Sequence, residues 1–264
     1  MVDALKSVFK VEELRRKIIF TLMMVLVFRI GVHIPVPGIK LEVIQELIGQ
    51  GQLLGFFDII SGGAFANFSI FAMSITPYIN ASIIIQLLTI VVPSLERLAK
   101  EGVEGRKKIV EYTRYLTVIL GFVQGIGISF GLRTALENTS FPSILLIALT
   151  LTAGTAFLMW LGEMITEKGI GNGISLIIFA GIVSSLPGGV MSMVEYFRTG
   201  TIGIITLLAF AVVASVVIVA IIAVNEGQRR IPVHYAKRIV GRKVYGGQST
   251  HIPIKVNSAG VIPV

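Results

Sequence analysis

A short apolar segment at residues 53–68 runs into a longer one at 69–93, and no charged loop separates them. The first segment is too short to cross a bilayer and is interrupted by Gly55, Gly62 and Gly63, whereas the second is about as long as a spanning helix. This pairing predicts a re-entrant half-helix beside a full span. Irregular backbone is tolerated at membrane depth only inside protein or beside water, so the pairing also predicts a cavity.

The composition excludes a soluble globule. Hydrophobic residues make up 54% of the chain, charged residues 14%, and the mean hydropathy is +0.85. Too little polar surface exists to cover a core, so we expect an all-α polytopic membrane protein. The apolar runs that predict its spans are 18–34, 69–93, 116–132, 144–165, 174–190 and 202–224.

The basic residues predict the orientation. Five Lys and Arg precede the first span, six follow the second, one follows the fourth and seven follow the sixth, against three on the opposite side. Cytoplasmic segments carry such an excess, so we expect the amino terminus and residues 225–264 to be cytoplasmic. Residues 1–17 predict an interfacial helix and residues 94–115 a charged connecting loop. The net charge of +8 favours anionic lipid, RNA or an acidic protein as partners.

Isoleucines repeat every fourth residue on two predicted spans. Ordinarily such a stripe packs against neighbouring helices, although two matching stripes can also face each other across a narrow passage. The stripes are Ile75, Ile79 and Ile83 on one span and Ile174, Ile178 and Ile182 on the other.

Three further patterns predict local structure. Arg29, near the outer end of the first span, is expected to snorkel towards the interface, and Pro77 is expected to kink the second span. The turn at 169–175 lacks a Walker lysine, which favours a simple turn with Asn172 or Ser175 capping the fifth span over a nucleotide site. Four glycines of the third span permit close helix contact. These are Gly121, Gly125, Gly127 and Gly131.

The region after the sixth span is no longer apolar. Its alternating pattern, bounded by Gly246 and Gly247, predicts an extended hairpin that projects into the cytoplasm. The basic residues of this hairpin favour docking on phosphate or acidic protein, and a solvated charged loop is the alternative.

No pattern predicts catalysis, a cofactor or a metal site. The chain has no Cys, only His33, His234 and His251, no His-Glu-x-x-His motif and no paired aspartates in its spans. A secondary transporter is an alternative, because it also uses broken helices at mid-membrane. Ion coupling usually needs ionisable residues within the spans, and here only Arg29 and Glu163 lie there, near the ends.

A set of motifs resembles the SecY family, the central subunit of the bacterial protein-conducting channel, along essentially the full length of the chain. Each motif alone is weak, and together they are specific. They are Phe-Arg-Ile-Gly at 28–31, Ile-Pro-Val-Pro-Gly at 34–38, Ser-Gly-Gly at 61–63, Pro-Tyr-Ile at 77–79, Ala-Ser-Ile-Ile-Ile-Gln-Leu-Leu at 81–88, Gly-Ile-Gly-Asn-Gly-Ile-Ser at 169–175, Gln-Arg-Arg at 228–230 and Gln-Ser-Thr-His at 248–251.

The resemblance implies a SecY-like bundle of two five-helix halves, related by inverted pseudo-symmetry around an hourglass pore. This chain is expected to hold the first half, the sixth span and its hairpin, and to stop where the family's seventh helix begins. The implied function is that of a non-enzymatic channel in the cytoplasmic (inner) membrane. Such a channel passes unfolded secretory polypeptides across the membrane and releases membrane segments laterally into lipid.

The resemblance also assigns three sets of residues. The pore ring is Ile75, Ile79, Ile174 and Ile178. The plug that closes the outer funnel is centred on Phe57, Asp58, Ile59, Ile60, Ser61, Gly62, Gly63 and Phe65. The residues that dock partners are Arg229, Arg230, Lys237, Arg238, Arg242 and Lys243. The implied partners are the SecE and SecG subunits, the SecA motor ATPase, the ribosome through its RNA, secretory preproteins with their signal sequences, and the lipid bilayer.

Overall fold

The structure, a computed structural model, describes residues 11–50, 52–233, 238–240, 243–245 and 250–255. The chain divides into two compact units, one ending at Val190 and the other beginning at Met191. The predicted fold class, a mainly helical polytopic bundle with a small hairpin, is confirmed. The described helices are α1 Glu12–Gly31, α2 Leu41–Gln50, α3 Gln52–Ser61, α4 Thr76–Val91, α5 Pro93–Lys100, α6 Val103–Gly131, α7 Phe141–Lys168, α8 Gly173–Arg198 and α9 Ile204–Glu226.

Four described helices, α6 to α9, are long and apolar enough to cross a membrane. The pair α4 and α5 meets the same criteria together, but the two helices bend by 100° at the break between them. By length and composition, the described residues therefore offer four or five spans where the sequence predicted six. α1 accounts for one missing span, because the first six residues of this helix carry five charges. The bend between α4 and α5 accounts for the other when this pair is not counted as a span.

The region predicted as the second span, 69–93, is helical only from Thr76 to Val91. Phe68 and Ser74 have positive φ angles of 36° and 52°, and the chain passes through turns between α3 and α4. The expected kink at Pro77 is wrong. Pro77 lies in the first turn of α4, where its missing N–H would have had no helical partner.

Two helical regions were not expected. α2 is amphipathic, with Leu41, Ile44 and Ile48 at helical spacing and Ile44 buried. The expected connector at 94–115 is almost wholly helical, with a break at Gly102, whose φ is +79°. The charges of this region lie on exposed helix surface rather than in a loop.

Two buried apolar clusters hold the first unit together. One includes Phe68, Ile147 and Leu151, and the other includes Phe28, Phe71, Ile75, Leu158 and Ile177. Since Phe68 and Phe71 come from the turns between α3 and α4, this irregular segment belongs to the core of the unit and is fixed by packing from both sides.

The second unit contains the hairpin. β1 (Gln228–Val233) pairs antiparallel with β4 (Thr250–Lys255), and Ile231 lies opposite Ile252. β2 (Arg238–Val240) pairs antiparallel with β3 (Lys243–Tyr245). The predicted hairpin is therefore confirmed as two ladders, one inside the other in sequence.

Candidate functional site

The segment predicted as the plug is a short helix that ends in a two-glycine turn. The Gly63 N–H donates to the Asp58 carbonyl oxygen at 3.0 Å, and the Gly62 N–H donates to that of Ile59 at 3.2 Å. This pairing, with Gly62 at a φ of +70°, is a Schellman motif, which closes a helix because a left-handed residue turns the chain back. The helical part of the predicted half-helix at 53–68 therefore ends at Ser61.

Side chains of the same segment complete the turn. The Asp58 carboxylate accepts the Ala66 N–H at 2.7 Å, and the Ser61 hydroxyl oxygen accepts the Phe65 N–H at 3.1 Å. Ser61 and Phe65 are buried, whereas Phe57 and Ile59 are about half exposed. Asp58 and Ser61 thus shape the turn. Leu54 packs against the apolar core of the first unit, and Phe57 and Ile59 remain accessible among the described residues.

The turn touches α8 backbone to backbone. A Cβ atom on Gly62 would lie 2.6 Å from the Gly181 Cα, and one on Gly181 would lie 3.0 Å from the Ile60 carbonyl oxygen. Only glycine allows this approach. The sequence singled out Gly62 for its flexibility, but nothing in the sequence pairs it with Gly181.

Arg29 joins α1 to this contact. Its Nη1 donates to the Gly62 carbonyl oxygen at 2.9 Å and to the Ser184 hydroxyl at 2.8 Å. The expectation that Arg29 snorkels is wrong, because its guanidinium points into the bundle and is half-buried there. These partners lie 33 and 155 residues away, so no local pattern could have indicated them.

The four predicted ring isoleucines are only partly brought together. Ile75, Ile79 and Ile174 join one apolar cluster. The buried isoleucine of α8 is Ile177, which lies outside the predicted stripe. Ile75 is 1% exposed and precedes α4 as its N-cap, whereas Ile79 and Ile178 are half-buried. The accessible isoleucine surface therefore comes from Ile79, Ile174 and Ile178.

A cavity of about 440 Å³ lies between α3, the helix predicted as the plug, and α6. Its wall is mainly apolar, with Ser61, Ser74, Thr76 and Gln124 as the polar contributors. The predicted cavity is thus present beside the predicted plug. The remaining lining residues are Leu54, Phe57, Ile60, Phe65, Ala72, Met73, Gly127 and Ile128.

The Gly-rich turn before α8 connects helices. The Asn172 side-chain oxygen accepts the N–H groups of Ile174 and Ser175 at 3.0 and 3.2 Å, which confirms the predicted cap. The Gly173 N–H donates to the Thr166 hydroxyl oxygen at 2.8 Å. These three backbone N–H groups already donate to the side-chain oxygens of Asn172 and Thr166, which fits a simple turn rather than a nucleotide site.

An ion pair crosses from α6 to α7. Arg114 Nε lies 2.8 Å from Glu163 Oε1, and the two side chains are 47% and 23% exposed. Each charge is more costly to place in a helix bundle alone than with its partner. Glu163, expected near an interface, therefore also fixes two neighbouring helices.

The predicted docking residues lie in the hairpin. Arg229 and Arg230 are exposed on β1, opposite Ile254 and Pro253. Arg238 begins β2 and Lys243 begins β3. Lys237 and Arg242 lie outside the described residues.

The fold and the site define a class: multi-pass helical membrane proteins in which a short apolar helix and its turn are packed into the bundle. A family model for SecY matches residues 69–264. The chain belongs to the SecY family.

Curated relatives support membership of the SecY family. The chain is 52% identical to the protein translocase subunit SecY of Halalkalibacterium halodurans and 48% identical to that of Aquifex aeolicus, each over 100% of this chain and 64% of the relative. It is 50% identical to that of Escherichia coli K12, over 95% of this chain and 58% of the relative. The chain thus spans less than two thirds of the length of these relatives.

Solved structures share the fold. A protein-conducting channel matches with a TM-score of 0.62 and 21% identity, over 91% of this chain and 52% of that chain. A SecY structure whose plug domain is described as stabilising the closed state matches with a TM-score of 0.63 and 22% identity, over the same shares of the two chains. Sec61 from a canine ribosome-channel complex matches with a TM-score of 0.60 and 20% identity, over 83% of this chain and 49% of that chain.

Proposed function

We propose that this chain is the amino-terminal part of the pore-forming subunit of a protein-conducting channel. The channel passes unfolded secretory polypeptides across the cytoplasmic membrane and releases membrane segments laterally into lipid. The naming of its curated relatives as translocase subunits supports this function over the transporter alternative.

One observation carries the proposal: a short apolar helix ends in a turn that lies against α8 with no side chain between Gly62 and Gly181. A contact between two backbones without interlocking side chains can separate as a unit. The segment from Phe57 to Phe65 is therefore the plug of the channel, and the cavity beside α6 is part of the space in which it is seated.

The isoleucines supply the seal. A polar chain crossing about 30 Å of hydrocarbon would leave amides unpaired at several kcal/mol each, and water-filled funnels remove most of that cost. Between the funnels, Ile79, Ile174 and Ile178 present an apolar collar, with Ile75 packed behind it. Such a collar resists ions by dewetting and offers a passing peptide no fixed binding group.

The distribution of charge supports the orientation, and the resemblance to the SecY family supplies the partners. The amino terminus and the hairpin lie in the cytoplasm, and the hairpin docks the ribosome or the SecA motor through Arg229, Arg230, Lys237, Arg238, Arg242 and Lys243. The energy for transport comes from a partner. SecE and SecG complete the complex.

The test uses the absence of cysteine from the chain. Ile79→Cys is introduced into a complete subunit that carries this sequence, within its membrane complex, and a secretory protein is stalled during transport. We expect a crosslink between the cysteine introduced at position 79 and the stalled protein, because the collar surrounds the polypeptide. Mass spectrometry of the adduct identifies the contact.

The matched control is Val123→Cys, since Val123 is a β-branched residue that is 60% exposed on α6. An adduct at position 79 alone, dependent on the stalled protein, supports the channel. Equal labelling at both positions, or labelling only at position 123, would return the isoleucine stripe to ordinary helix packing and contradict the proposal.

A further inference from the structure

Three elements of the first unit converge on one cationic side chain. Arg29 comes from the last turn of α1, Gly62 from the turn after α3, and Ser184 from α8. A single nitrogen, Nη1, donates to the Gly62 carbonyl oxygen at 2.9 Å and to the Ser184 hydroxyl oxygen at 2.8 Å. No other side chain in the described residues donates a hydrogen bond to the backbone of residues 62–64.

The Ser184 hydroxyl can form both of its hydrogen bonds at once, one as donor and one as acceptor. The Ser184 hydroxyl donates to the Gly181 carbonyl oxygen at 2.6 Å, so its own oxygen is free to accept from Arg29. Gly181 is the residue against which Gly62 is packed. Arg29 therefore reaches both sides of the contact between Gly62 and Gly181, one directly and the other through Ser184.

The charge of Arg29 depends on this arrangement. Among the described residues no carboxylate forms an ion pair with Arg29, and its guanidinium is half-buried. A cation in such a place is favourable only while oxygen acceptors face it. If the plug turn moved away, Arg29 would lose its only backbone acceptor from that segment.

We propose that Arg29 is a latch that holds the plug turn in its seat, with Ser184 as the second arm of the latch. This inference rests on the proposed function, since it assigns the closed position of the plug to one charge-assisted hydrogen bond. Because the acceptor is a main-chain carbonyl, the latch recognises the fold of the turn rather than a plug side chain. Opening then requires the exchange of Gly62 for water or for the transported chain as the partner of Arg29.

The test measures the position of the plug directly. Spin labels are attached at Phe57→Cys on α3 and Ile19→Cys on α1, both about half exposed. The host is a complete subunit that carries this sequence and no other cysteine, within its complex. We expect Arg29→Met to raise the population with an altered interlabel distance by roughly 10- to 100-fold, as loss of a hydrogen bond to a charged group predicts. The ion conductance of the resting channel in planar bilayers is expected to rise with it.

Further variants distinguish the loss of the latch from non-specific destabilisation of the protein. Ser184→Ala removes one hydroxyl and is expected to give a smaller shift of the same kind, and Arg29→Lys is expected to restore part of the seated population. The matched control is Arg133→Met, because Arg133 is an exposed arginine that lies over the ring of Phe130, 4.3 Å from its centroid. It should leave both the distance and the conductance unchanged.

The outcomes distinguish this inference from the proposed function. If Arg29→Met and Ser184→Ala both keep the wild-type distance distribution while Ile79→Cys still crosslinks a stalled protein, the channel stands and the latch is wrong. If the distance changes as expected but Ile79→Cys forms no crosslink, the latch stands as a structural contact and the channel function fails. An equal shift in Arg133→Met would also overturn the latch.

Discussion

Gly62 and Gly63 are neighbours in the same turn, yet the structure gives them different tasks. Their φ angles are +70° and +85°, so both occupy the left-handed region. A Cβ atom on Gly62 would lie 2.6 Å from the Gly181 Cα, whereas a Cβ atom on Gly63 would meet nothing within 4 Å. Alanine substitutions at the two positions can therefore distinguish the free-energy cost of a left-handed backbone from the cost of a steric clash with α8.

We expect Gly62→Ala to unseat the turn and Gly63→Ala to leave it seated. Both variants bear a left-handed cost of about 1 kcal/mol, and only Gly62→Ala also drives a methyl group into the backbone of α8. The measurements are the apparent melting temperature in detergent and the distance between labels at positions 57 and 19.

Gly181→Ala provides the third arm of this comparison, because its Cβ would lie 3.0 Å from the Ile60 carbonyl oxygen and the residue has no positive φ. It should resemble Gly62→Ala in the distance measurement and cost less in stability. Equal effects of Gly62→Ala and Gly63→Ala would mean that backbone conformation alone matters and that the contact with α8 is incidental.

At the scale of helices, α6 packs on α7 through a row of small residues. The row buried on α6 is Thr113, Thr117, Gly121, Gly125 and Ser129, spaced by four. The sequence predicted close contact from four glycines, but only Gly121 and Gly125 lie in this row, and Gly127 and Gly131 are exposed. Spacing by four, rather than the number of glycines, marks the contact face.

We expect Gly125→Ala to destabilise the bundle and Gly127→Ala to be neutral or stabilising. Both changes improve helix propensity by up to about 1 kcal/mol. At position 125 the new methyl group would lie 3.1 Å from the Ala148 Cα, and overpacking of this kind costs roughly 1 to 3 kcal/mol. At position 127 it would meet nothing within 4 Å.

Apparent melting temperatures of the two variants in the same detergent decide this prediction. A loss of stability in Gly127→Ala as large as that in Gly125→Ala would show that α6 is sensitive to any added methyl group. The face assignment would then be wrong.

At the scale of the whole molecule, the sequence predicted those structures whose signal lies within a single helix or hairpin. Apolar runs predicted the long helices, and alternation predicted the pairing of β1 with β4. The charged start of α6 was mistaken for a loop, because charges on an exposed helix surface and in a loop give similar composition. The positive φ angles at Phe68 and Ser74 are set by packing, so the turns before α4 could not be predicted from hydropathy.

The candidate site likewise contains local features that the sequence predicted and long-range contacts that it did not. The cap at Asn172 is local and was predicted. Gly62 and Gly63 were expected to weaken the half-helix, but the turn that they form at the end of α3 was not predicted. The contacts of Arg29 with Gly62 and Ser184 join residues far apart in the chain, and no periodicity carries that information. The long-range contacts are therefore what the structure adds to the sequence.

The last prediction concerns the basic hairpin and its partner. Replacing Arg242 and Lys243 by Glu in the complete subunit should weaken binding of the ribosome or of SecA without unfolding the membrane helices, since the change reverses two charges outside the spans. If the partner is RNA, the two lost phosphate contacts should also reduce the magnitude of the slope of log K against log salt by about 1.4 to 1.8. Binding is measured by cosedimentation over a salt series.

The matched control for the hairpin is the double variant Lys40→Glu and Arg133→Glu, which makes the same charge change on the predicted opposite side of the membrane. Equal weakening in both double variants would mean that net charge rather than the hairpin attracts the partner. Unchanged binding in the hairpin variant would remove Arg242 and Lys243 from docking. A weaker affinity with a smaller reduction of the salt slope would indicate an acidic protein surface in place of RNA. Pairs of exposed protein charges are screened by salt, but a protein surface lacks the condensed counterions that a polyelectrolyte releases.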